Sequence, residues 1–131
     1  MNNNSSLSRD EMAKALAADA KVLLEVIGDF SFREEHQRLG VSGGEPSQEE
    51  RLRKGEHWLN TNQQKLKEAV CNNANLQGAI SKVGADDNVS LGLLLADACA
   101  SVTIGVPPVF IAALVVKIGF QKFCRDTEGN S

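Results

Sequence analysis

The chain has 131 residues, enough for one domain that buries a core without staples, and its 42% hydrophobic and 24% charged residues suit a globular protein. Its net charge of -3, with both signs interspersed ahead of Cys71, supplies no basic patch and argues against nucleic acid as a partner. Aromatic residues make up 5% and Tyr is absent, so the core must come from Leu, Val, Ile and Ala.

Residues 1–7 are polar and rich in Asn and Ser; they lack the basic start and apolar run of a secretory signal. We therefore expect a disordered N-terminal segment and a cytoplasmic protein. Ser8 and Glu11 form a capping-box pair, in which each side chain satisfies the other residue's free backbone N–H. Met12, Leu16, Ala20, Leu23, Ile27 and Phe30 then recur at steps of four or three, which predicts one long helix over 8–30.

The stretch 31–46 reads as irregular because Gly40, Gly43, Gly44 and Pro46 punctuate it, with a short helical turn allowed at 33–39. A second capping box, Ser47 with Glu50, opens a helix that reaches about residue 72. Leu52, Leu59, Leu66 and Ala69 draw a thin apolar stripe on an otherwise charged cylinder. We take Arg51, Lys54, His57, Trp58 and Lys65 on this helix as the candidate interaction surface, Trp58 also being suited to anchoring one helix on another.

A turn rich in Asn follows Cys71, after which Leu76, Ala79, Ile80 and Val83 have helical spacing up to a Gly84 cap. Asp86, Asp87 or Asn88 can cap the next helix. Residues 89–120 are strongly apolar, with Asp97 and Lys117 as their charges. The uncharged run 98–116 nearly reaches the roughly 20 residues of a membrane span. Pro107 and Pro108 interrupt it, because a proline removes a backbone donor and disfavours helix at the residue before it. Two helices, 89–104 and 108–124, are the better reading, packed as a buried hairpin with Gly92, Gly105 and Gly119 permitting close approach. Residues 126–131 form a polar tail, leaving 8–125 as a single helical domain.

Cys71, Cys99 and Cys124 are an odd, widely spaced set, unlike a disulfide framework or a paired-cysteine zinc site. Cys99 reads as a core residue; Cys71 and Cys124, near helix ends, read as an interhelix contact or surface thiols. His36 and His57 each follow a glutamate without forming a metal-binding motif. No residue is expected to be catalytic, to bind a cofactor or to ligate a metal.

The expected architecture is all-α, a five- or six-helix bundle with the apolar hairpin in its core. The expected function is a non-enzymatic protein–protein interaction or adaptor module, with self-association as one form of it. The rival is a membrane-active effector whose hairpin 89–120 inserts on a trigger, with Asp97, Pro107 and Pro108 as its switch. A small enzyme built around His36, His57 or Asp97 ranks third.

Overall fold

The computed structural model describes residues 8–40, 44–83, 87–103 and 105–129, the side chains of 126–129 excepted. Its helices are α1 (Arg9–Ala17), α2 (Ala20–Leu39), α3 (Gln48–Cys71), α4 (Ala74–Ile80), α5 (Asn88–Cys99), α6 (Pro108–Ile118) and α7 (Phe120–Gly129). The all-α class is as expected, and no strand occurs among the described residues. The N-terminal segment 1–7, Gly43, Gly84 and Asp86 lie outside the described residues.

Helix α6 is the centre of the packing. Val109, Ile111, Ala112, Ala113, Leu114 and Val115 are all buried, and α1, α2, α5 and α7 each pack against it. A helix apolar on every side must be covered on every side, so its neighbours are arranged as walls. Pro108 occupies its first turn, where a missing N–H costs nothing, and Pro107 is its N-cap.

The first expected helix is broken. Ala18 and Asp19 are both extended, with ψ of 149° and 155°, and they separate α1 from α2. The apolar stripe continues across the break, but α1 packs on α5 and α6 whereas α2 packs on α3 and α6, so two axes replace one. Both residues of the Ser8–Glu11 capping box make their bonds as the sequence implies.

Helix α2 then continues to Leu39, through a stretch expected to be irregular. Its exposed side is braced by pairs one turn apart, Asp29 with Arg33 at 3.1 Å and Glu34 with Arg38 at 3.5 Å. The helix stops at Gly40, which takes the left-handed conformation at φ 71° and donates its N–H to carbonyls of the last turn.

The hairpin's helices are shorter than expected. Helix α5 ends at Cys99, where Val102 N–H bonds the Cys99 carbonyl at 2.9 Å in a tightened final turn, rather than reaching residue 104, which lies outside the described residues. The second arm divides at Gly119, whose φ of 104° suits glycine alone, and α7 carries the chain on to Gly129 through part of the expected tail.

The cysteine reading is corrected in one respect. Cys71 and Cys124 form a disulfide that ties the end of α3 to α7 across 53 positions, and Cys99 is buried and free, as expected. Closing a loop of that length removes about 4 kcal/mol of chain entropy from the unfolded state. The odd count concealed one pair and one core thiol.

Helices α2 and α3 make the most extensive contact of the bundle, crossing where Gly28 and Gly55 are both buried. A Cβ at Gly28 would overlap the Arg51 carbonyl, and one at Gly55 would overlap the Leu24 carbonyl. Backbone cannot move aside as a side-chain tip can. We expect Gly28→Ala to destabilise the protein by about 2 kcal/mol, overpacking outweighing the roughly 1 kcal/mol alanine adds to a helix. Gly78→Ala, on exposed α4 with open space around it, should instead stabilise by about 0.5–1 kcal/mol. Urea midpoints of the two variants check both signs.

Candidate functional site

The residues expected to form one surface on α3 differ in burial and in partners. Trp58, 8% exposed, is buried in the core, where it serves as the anchor its size suits. Arg51 donates to the Pro46 carbonyl at 3.0 Å, and Lys54 pairs with Glu35 at 2.5 Å, so both are engaged within the protein. His57 is exposed, 3.5 Å from the Thr61 hydroxyl, and lines a hollow of about 250 Å³ with Glu50, Arg53 and Lys54. Lys65 is exposed but does not line that hollow. No group of three or more His, Cys, Asp or Glu among the described residues could hold a metal ion.

Asp97 is brought into a different setting. It is exposed, on the rim of a groove of about 730 Å³ between α4 and α5. Ala79, Val83, Leu93 and Leu94 supply apolar walls; Asn75, Lys82 and Ser90 join Asp97 as polar lining. The exposure of Asp97 agrees with a carboxylate at the edge of an apolar helix rather than one enclosed in the core.

Local capping fixes the groove's two walls. The Asn73 side chain accepts from Leu76 N–H at 3.0 Å and starts α4; Gln77 reaches back to the Val70 and Cys71 carbonyls at 3.4 and 3.3 Å. Asp87 caps α5 by accepting from Ser90 N–H at 3.0 Å and from the Ser90 hydroxyl at 2.7 Å. The Ser90 hydroxyl and N–H, with Arg9 adding its charge, hold the Asp87 carboxyl below its ordinary range. Arg9 also donates to the Ser90 hydroxyl at 3.0 Å and so ties this end of the groove to α1.

A second hollow, of about 360 Å³, lies where α3 meets α7 and is lined by Cys71, Cys124, Lys67, Phe120 and Arg125 among others. Lys67 is 5% exposed, with its ammonium 5.4 Å from the centre of the Phe123 ring. That placement offsets part of the cost of burying a cation. Sequence reading passed over this site because nothing local brings residues 67, 71 and 124 together.

On the α2–α3 surface the Lys54 hydrogen bond and charge hold the Glu35 carboxyl below its ordinary range. A carboxyl depressed by folding stabilises above its unfolded pKa, and that contribution is lost as pH falls through the folded value. Both side chains are more than a third exposed, so solvent screens the pair. Glu35→Gln should cost no more than about 0.5 kcal/mol at neutral pH and less near about pH 3, where more of the carboxyl is protonated. Urea midpoints at the two pH values test this.

Family models, curated proteins and solved structures show no match to this chain.

Proposed function

We propose that the protein is a non-enzymatic interaction module that receives an amphipathic helix of a protein partner in the α4–α5 groove. One observation carries this reading. The groove combines apolar walls at Ala79, Val83, Leu93 and Leu94 with a cation, Lys82, and an anion, Asp97. Helix-in-groove recognition needs an apolar trough for anchors at i, i+3, i+4 and i+7, and flanking charges to set their orientation. A fitting partner helix carries a Leu-type stripe, a basic residue toward Asp97 and an acidic one toward Lys82.

The reading rests on this groove and not on His57, which shares its hollow with Glu50 and lies 3.5 Å from the Thr61 hydroxyl, nor on Asp97 as an acid, since its exposed carboxylate serves here as a charge on the groove. Among the described residues no helix is long and apolar enough to cross a membrane. In the cytoplasm expected from the sequence, a bridge such as Cys71–Cys124 would be transient; in an oxidising compartment it would persist.

The test uses synthetic amphipathic peptides with a leucine stripe, carrying Lys on one flank and Glu on the other. We expect saturable binding with methyl shifts at Val83, Leu93 and Leu94 and loss of binding in Leu94→Asp. Asp97→Lys should weaken binding about tenfold, equivalent to about 1.4 kcal/mol. Absence of peptide binding would overturn the proposal. In that event, mass that doubles with concentration would assign the groove to a second copy, and flotation with anionic liposomes would favour the hairpin as a membrane inserter.

A further inference from the structure

We propose that the Cys71–Cys124 bridge is a reducible clamp: a dithiol that opens it frees α7 to swing about Gly119 and uncovers the α3–α6 surface on which α7 lies. Four observations converge on this. Cys71 and Cys124 are half-buried and line the 360 Å³ hollow, so a small thiol can approach the bridge through it. Helix α7 packs on α3 and α6 with a single buried side chain among its described residues, Phe123. Immediately before it stands Gly119, at φ 104°, where glycine can absorb a change of chain direction. Finally, the loop closed by the bridge contains α4, α5 and α6, so the bridge fastens the apolar hairpin at its far end while Cys71 holds it at the near end.

The chemistry balances with an external dithiol. One of its thiolates attacks a bridge sulfur, forming a mixed disulfide and releasing the other cysteine as a thiolate. The second thiol of the reagent then displaces the first cysteine. Two electrons pass to the bridge, both cysteines end as thiols after protonation, and the reagent leaves as an internal disulfide. Cys99 takes no part: burial encloses it within the core and pushes its thiol up to about 12, so it holds little thiolate. The clamp is independent of what occupies the α4–α5 groove.

The experiment is amide hydrogen exchange on the full chain, air-oxidised and in dithiothreitol, with native alkylation of thiols in parallel. Reduction should raise exchange at Phe123, Cys124 and Arg125, the α7 amides that lie beyond its unbonded first turn, by at least about tenfold and leave the α2–α3 crossing and α6 protected. Alkylation should find no reactive thiol before reduction and two after it, at positions 71 and 124. Cys71→Ser should show the reduced exchange pattern without dithiol and no further response to it. Unchanged protection in α7 on reduction would overturn the proposal. So would equal loss of protection in every helix, which would make the bridge a staple of the whole fold, or reactive thiols at both positions in the oxidised protein.

Discussion

The structure depends on covering one helix. α6 offers no polar face: Ile111, Ala112 and Ala113 are fully buried in succession, followed by Leu114 and Val115 at 2% exposure or less. Removing side chains such as Ile111 and Leu114 from water is worth about 1.5–3 kcal/mol each, and this is realised only if every flank of the helix finds a neighbour. The break at Ala18–Asp19 and the division at Gly119 follow from that demand, because they let α1 and α7 close over flanks that a continuous helix would leave behind. Lys117, the one charge in α6, is exposed in its last turn, where a cation also suits the helix dipole.

Glycine allows the surrounding helices to pack at the required distance, with different tolerance at each site. At the α2–α3 crossing both partners present backbone, so the approach of Gly28 to Arg51 and of Gly55 to Leu24 has no slack. Gly92 in α5 faces the Met12 side chain, whose sulfur would lie 2.5 Å from an added Cβ. Methionine has three rotatable bonds and can yield, so the α1–α5 contact is adaptable where the α2–α3 contact is fixed. The rigid pair and the apolar centre together form a frame, and α4 and α7 are added at its edge.

How much of this could be read in the chain follows from how local each cause is. Ser8 with Glu11 and Ser47 with Glu50 were legible because a capping box needs only residues three apart, and Pro107–Pro108 announced the hairpin's turn for the same reason. The persistence of α2 to Leu39 has a local signal in the Asp29–Arg33 and Glu34–Arg38 pairs, with no Gly or Pro between Asp29 and Leu39. The break after Ala17 had no comparable signal, since its cause is which helices lie beside α1 and α2. Likewise Cys71 and Cys124 meet only after α4 to α6 have folded between them. Asp97 stands out as a charge in an apolar run, but the groove it borders exists only once α4 is laid beside α5, and the engagement of Arg51 and Lys54 likewise depends on Pro46 and Glu35 lying within their reach.

The same geometry weighs between the two main functional readings. Helices α5 and α6 have 12 and 11 residues, so each spans roughly 17–18 Å at 1.5 Å per residue, little more than half of a 30 Å hydrocarbon core. Entering a bilayer would oblige α6 to leave α1 and α2 and the hairpin to extend into new helix through Gly105 and Gly119, both held at positive φ. The Cys71–Cys124 bridge would restrain that rearrangement from both ends of the loop. Accepting a helix beside Leu93 and Leu94 requires none of these changes, because the groove is already open while α6 remains enclosed. The apolar hairpin is therefore better understood as two helices with different surroundings: α6, enclosed by its neighbours, and α5, whose flank toward α4, bordered by Lys82 and Asp97, is the one the proposed partner helix would occupy.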